Sequence, residues 1–396
     1  MRSTTSDIII IGGGCSGLAL AYALSKASCS LSIRILESRS HYSNDRTWCF
    51  WTKSKNEWTE LACQRWNKWS FQLGDEGKPV VHQGQDWFYY CLAAKDYYHF
   101  VQQSLLHNYH IKLEMNQTIT EVQYADPEQP FSGAKPEAMV KTQAGDTYQA
   151  KLIIDTRQPI DRQSMLYQSF FGIEIKTNEA SPDIVSLMHN LRADKDGVRF
   201  NYILPLTPNR VLFEHTRFSQ NPIDKQSMEA QCQDEMRRIK CQYKAIFRKE
   251  YGCLPMGMDQ NNIPYYSAGT AGGALRDASG YGFLRIQSWA ERIASKLSQP
   301  EITLPLNQLM ADKPEGKEWI TWLDMLFLKT IKNNPSDSAS YFFRLAKNLN
   351  SQQFMRFMTD SPSKMDLLFI VHALPKWPFL KQLFSEHTQE QSSEYA

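Results

Sequence analysis

DIIIIGGGCSGLALAYAL, residues 7–24, decides the fold. Asp7–Ile11 is a β-branched run of the kind that forms a strand buried on both faces. Gly12, Gly14 and Gly17 then complete G-x-G-x-x-G. The first glycine makes the turn, the second lets backbone N–H groups approach a pyrophosphate, and the third lets helix and strand pack closely. The helix that follows, to about Ser25, aims its N-terminus at the phosphates. LSIRILE reads as a second strand and ends at Glu37, where an acid accepts from a ribose hydroxyl. The same stretch is uncharged from residue 8 to 24, but its glycine triplet fits neither a signal peptide nor a spanning helix of about 20 apolar residues. The unit is a dinucleotide-binding fingerprint.

The fingerprint alone does not separate FAD from NAD. A second glycine cluster, SAGTAGGALRDASGYGFLRIQSWAERIA at 267–294, bears on the choice. A glycine turn at Gly269, Gly272 and Gly273 leading into an amphipathic helix is the form of a second cofactor-contacting loop. A cofactor touched from both parts of the chain is large and bent, which favours FAD.

With 396 residues the chain has room for two or three packed lobes. A net charge of +2 gives no argument for nucleic acid. Aromatic residues are abundant, with 10 Trp, 18 Tyr and 20 Phe, which suits a long apolar ligand as well as large cores. The eight cysteines have no C-x-x-C spacing and read as reduced thiols of an intracellular protein. The nine histidines are scattered, so no metal site is expected.

The pattern divides into an α/β FAD-binding domain over 1–159 and 255–300, an inserted antiparallel β-sheet substrate domain over 160–254, and a helical C-terminal lobe over 301–396 whose last dozen residues are polar. HYSNDRTWCFW, residues 41–51, is unexpected: a charged pair and an aromatic wall just past the fingerprint. Glu214 also stands out, an acid inside the apolar strand VLFEHTRFS. On the residues alone it is either a buried reactive acid or a strand-end partner of Arg210 or Arg217.

Several of these segments together resemble the lycopene cyclase family of flavoproteins. They are DIIIIGGGCSGLALA, NDRTWCFW, FNYILPLTPNRVLFEHTRFS, EYGCLPM, GTAGGALRDASGYGFLRIQ and MRFM…LPKWPFL, in family order from about residue 7 to 384. The resemblance implies a flavin-monooxygenase-like fold and a β-cyclase acting on lycopene or a related linear carotene. It implies FAD in its reduced form, with NADPH as electron donor, and no net redox change. Arg46 is then placed against FAD phosphate or ribose with Asp45 orienting it, and Thr47 and Trp48 lie near the isoalloxazine. Glu214 matches the family's essential acid. Trp48, His189 and His215 are candidate substrate contacts, although His189 stands where family members commonly carry aspartate. A redox enzyme of the same superfold and a non-catalytic flavin or carotenoid binder are the alternatives. The SAGTAGGAL loop lacks the Gly-Asp of the hydroxylase branch.

A water-insoluble substrate without a spanning helix implies a peripheral protein on the inner face of the cytoplasmic membrane. Trp377, Phe379 and Leu380 are expected to enter the bilayer surface, with Lys376 and Lys381 at the headgroups. Pro375 and Pro378 point to a wedge rather than a regular helix. No protein partner is evident.

Overall fold

The computed structural model describes residues 3–132, 135–157, 164–259, 262–312 and 318–383. Its first sheet is built on strand Ser3–Ile11, which pairs in parallel with Ile33–Leu36 on one side and Thr147–Asp155 on the other. Ile111–Glu114 extends the parallel side, and Ala138–Thr142 and Ile119–Gln123 continue the other side antiparallel. Ile8 to Ile11 are almost fully buried, as an all-apolar strand in the middle of a sheet must be. The turn to helix Cys15–Lys26 needs its glycines. Gly12 has φ +96°, and a Cβ on Gly17 would lie 2.0 Å from the Gly12 carbonyl oxygen.

The second glycine cluster returns to this turn. The Ala268 N–H donates to the Asp155 carbonyl, and the Asp155 N–H to that of Tyr266. A Cβ on Gly269, at φ +63°, would lie 1.9 Å from Ser16 Oγ at the start of the first helix. The two glycine motifs therefore touch, and helix Phe283–Leu297 packs beside Cys15–Lys26.

The second sheet has seven strands, in the order Tyr243–Met258, Ser164–Thr177, Arg210–Ser219, Gly197–Thr207, Val185–Asp194, Lys68–Leu73 and Val80–Gln83. Its last two strands come from ahead of the 160–254 segment, and Lys68–Leu73 joins Val185–Asp194 in parallel. In WNKWSFQL the inward residues Trp69 and Phe71 are separated by Ser70, a two-residue alternation obscured by the surrounding polar residues. One face of this sheet packs on helix Lys225–Arg238 through Phe171, Phe213, Met228 and Cys232. A small three-stranded sheet, Thr47–Thr52, Phe88–Ala93 and Gln64–Trp66, carries the aromatic block.

Helices Glu318–Asn333, Ser338–Asn348, Ser351–Met358 and Lys364–Ala373 form the C-terminal lobe. Asn350 and Ser363 each close a capping box at a helix start. Residues 376–383 are also helical, contrary to the wedge expected from Pro375 and Pro378. Pro378 falls in the first turn, where its missing N–H has no intrahelical partner to lose. The polar residues from 384 on lie outside the described residues. Arg276, from the second glycine loop, fastens that loop to the lobe. Its guanidinium meets Asp324 at 3.0 and 3.1 Å, donates to the Phe357 carbonyl and lies 4.3 Å from the Phe357 ring centre. Arg276 and Asp324 are both 2% exposed.

Candidate active site

One cavity of about 1150 Å³ joins the three parts. It runs from Gly14, Glu37 and Arg46 past Trp48 and Glu214 to Phe379 and Leu383 in the helical lobe. That exceeds the roughly 300–1,000 Å³ of a single small-molecule site, so a cofactor and a second ligand fit together.

At the fingerprint end the residues suit a dinucleotide. The first helix begins at Gly14 with no side-chain cap, leaving its N-terminal amides free for an anion. A Cβ on Gly14 would meet no protein atom within 4 Å, so the space in front of it is open for a pyrophosphate. Glu37 is buried at the cavity wall, and its Oε2 accepts from the Gly13 N–H at 2.8 Å. Hydrogen bonds and charge from Arg39 offset its burial and hold its carboxyl below the usual range.

Arg39 was not singled out in the sequence. It bonds Glu37 at 3.0 Å and Asp45 at 3.1 Å, and its guanidinium lies 4.7 and 5.0 Å from the centres of the Tyr42 and Tyr98 rings, which stack on each other. Asp45 therefore orients Arg39, not Arg46 as expected, and its other oxygen accepts from the Tyr98 hydroxyl. Arg46 is exposed at the cavity rim and donates to the Asp45 carbonyl. Trp48 stacks on Phe283 and meets Tyr97 and Tyr98 edge-on, with the indole at the cavity wall. Gly12, Gly17, Gly269, Gly272 and Gly273 shape the turns behind this wall and are not part of its lining.

The acid end is set by strand parity. Side chains alternate across a strand, so Leu212, Glu214, Thr216 and Phe218 face the cavity, and Phe213 faces the helix Lys225–Arg238. Glu214 pairs in register with Gly172 on one neighbour and with Tyr202 on the other. Thr216 Oγ1 donates to Glu214 Oε1 at 3.0 Å. Burial, reinforced by the charge of Glu250, pushes the Glu214 carboxyl up to about 8. Glu250 was also unforeseen. It pairs with Gly172 from the far side, and its Oε2 takes Arg248 at 2.6 Å and Thr47 Oγ1 at 3.1 Å. Beside Tyr202, the hydroxyls of Tyr202 and Tyr281 meet that of Tyr89 at 2.6 and 2.9 Å.

The same parity turns the two histidines away. His215 is on the helix side, hydrogen-bonded to Asn201 at 2.9 Å, and burial lowers its pKa to about 4. His189 pairs in register with Asn201, and neither histidine lines the cavity. The adjacent Met188 does. Among the described residues no cluster of three or more His, Cys, Asp or Glu side chains is arranged to hold a metal.

The family model described as "Lycopene cyclase protein" matches residues 7–384. A lycopene beta-cyclase of Pantoea ananas is 21% identical over 402 residues, covering 95% of this chain and 97% of that one. In fold, the chain is similar to a geranylgeranyl bacteriochlorophyll reductase-like protein of Thermoplasma acidophilum, with TM-score 0.60, 11% identity and coverage of 97% and 99%. It is also similar to an HpxO variant of Klebsiella pneumoniae complexed with FAD, with TM-score 0.55, 10% identity and coverage of 90% and 99%. The flavin-monooxygenase-like fold expected from the sequence is thus shown.

The state of Glu214 is measurable through stability. An unfolded glutamate releases its proton near 4.5, whereas the folded Glu214 holds it to about 8. Folding therefore binds a proton between those values, and wild-type stability falls as pH rises through the window, by up to about 1.4 kcal/mol per pH unit. Glu214→Gln lacks that slope. Its denaturation midpoint should gain on wild type from pH 5 to 8 and run parallel above; parallel curves throughout would show an ordinary carboxyl.

Proposed function

The chain belongs to the lycopene cyclase family, and on that premise we propose that it is a lycopene β-cyclase. The carrying observation is Glu214, a buried carboxyl whose desolvation favours its neutral form, in the wall of an aromatic cavity continuous with a dinucleotide cradle. In this reading residues 1–159 and 255–300 hold FAD, the 160–254 sheet with its two earlier strands forms the substrate wall, and the described helices of the 301–396 lobe cover it. The free amides after Gly14, Glu37 with Arg39, and Arg46 hold the cofactor. FAD bound there in its reduced form, with NADPH as electron donor, would supply negative charge that stabilises a carbocation in a dry site. Glu214 donates its proton to the terminal double bond of a linear carotene. The internal double bond captures the resulting cation and closes a six-membered ring, and loss of a ring proton leaves the β end group. Phe170, Trp48 and Tyr202 exclude water around the reacting end.

The carotene enters from a membrane. No helix among the described residues is long and apolar enough to cross one. Yet helix Lys364–Ala373 is apolar around most of its circumference and leaves Leu368 63% and Val371 55% exposed, beside Trp377 at 74%. Trp322, Val371 and Leu380 are both exposed and part of the cavity lining, so the patch surrounds its mouth. Lys364, Lys376 and Lys381 are exposed around it, suiting anionic headgroups. Phe379 does not belong to this face: its ring packs on Phe327 and Tyr341. We place this patch on the inner face of the cytoplasmic membrane.

Four outcomes are expected. Gly14→Val should abolish FAD retention, read as flavin absorbance of the purified protein, because the side chain fills the pyrophosphate space. Glu214→Gln, flavin-loaded, should lose cyclisation of lycopene in liposomes by at least about a hundred- to ten-thousand-fold, the typical share of general acid catalysis. Wild type should convert lycopene with no net NADPH consumption, and near-normal turnover by Glu214→Gln would reject the acid. A Leu368→Ser/Trp377→Ser protein should sediment with anionic liposomes at least about tenfold less than wild type, since two large side chains lose their burial; equal sedimentation would reject the membrane face.

A further inference from the structure

Four adjacent strands place one residue each in a row across the seven-stranded sheet: Glu250, Gly172, Glu214 and Tyr202. Register partners in a sheet share a face. The row therefore sets two carboxyl side chains on either side of a position that has none. A Cβ on Gly172 would lie 3.0 Å from Glu250 Cγ, so Glu250 leans over the glycine, toward Glu214. Both glutamates line the cavity.

Their surroundings are opposite in kind. Glu214 has a hydroxyl neighbour, Thr216, and a desolvated setting. Glu250 is in an ion pair with Arg248 and accepts from Thr47, and Arg248 is itself anchored by Glu174. One neutral acid and one ion-paired carboxylate in the same wall divide the acid and base roles between them.

We propose that Glu250 is the proton acceptor that completes the cyclisation. This rests on the reading of Glu214 as the acid that begins it. The Glu214 O–H bond breaks as a C–H bond forms at the polyene end. After ring closure a ring C–H bond breaks, its electron pair becomes the ring double bond, and the proton passes to a carboxylate oxygen of Glu250. The pair holds one proton before and after. Its return from Glu250 to Glu214 over Gly172 restores the starting state, with no oxidant or reductant involved.

The test is turnover of lycopene in liposomes by reduced, FAD-loaded wild type, Glu250→Gln and Glu250→Asp, with the position of the ring double bond determined in every product. Glu250→Gln should cyclise about a hundred- to ten-thousand-fold more slowly. Its residual rings should carry the double bond elsewhere or an added hydroxyl, because the cation outlives its base. Glu250→Asp keeps a charge for Arg248 and decides the matter if the Gln protein does not retain flavin; it should also yield mixed rings. Either flavin-loaded variant making only β rings, at wild-type rate or more slowly, overturns the proposal, since a purely structural role would change rate but not ring type. Failure of the underlying reading looks different: wild type would form no rings, or Glu214→Gln would cyclise normally.

Discussion

A carboxyl group held away from water is the constraint around which this site is organised. Glu214 faces the cavity because its strand alternates, and burial favours its neutral form. The buried acid needs few polar neighbours, so aromatic and aliphatic residues can occupy the rest of the wall. Along the row through Glu214, charge lies to one side, where Arg248 sits between Glu174 and Glu250. The sheet thus separates a dry acid from a compensated ionic group by the width of one glycine-bearing strand. Such an arrangement depends on register more than on any single side chain, since a slip of one residue would turn every one of these groups to the other face.

The cofactor end obeys a different logic. There the backbone does the recognising, and side chains mostly have to be absent. Gly12 and Gly17 permit the turn, and Gly269 permits the distant loop to sit against Ser16. Arg39 compensates the buried Glu37 and lies against the stacked rings of Tyr42 and Tyr98, a setting suited to a planar guanidinium. The block from Asn44 to Trp51 links the two ends. Asp45 supports Arg39, Trp48 lines the middle of the cavity, and Thr47 reaches Glu250.

What could be read from the sequence was local. Strand, glycine turn, helix and acid succeed one another within about thirty residues, a βαβ unit's length, so Gly12 to Glu37 were legible. Glu214 was visible as an acid in an apolar strand, but its role came from the family pattern. Glu250 heads the segment EYGCLPM, but its role was not visible, because its partnership with Glu214 exists only through pairing with a third strand. Gly172, in the middle of YQSFFGIEI, was the available sign, since a glycine inside a strand often marks a close approach. The histidines could have been sorted by parity alone: if Glu214 faces inward, His215 cannot. The strands within 68–83 were missed because a sheet can recruit distant chain, and nothing local announces the partner.

Arg276 and Asp324 have a consequence for how such a protein can change. Each is buried, and replacing Arg276 alone strands the Asp324 charge, a loss of about 3–5 kcal/mol in comparable buried pairs. That is a large share of the stability of an ordinary domain. One residue belongs to the loop beside the cofactor cradle and the other to the lobe that carries the exposed apolar patch at the cavity mouth. The two positions can therefore drift only together, and a lobe transplanted from a relative brings with it a requirement on residue 276. Diversification of the cavity mouth is in this way tethered to the nucleotide loop, some fifty residues earlier in the chain.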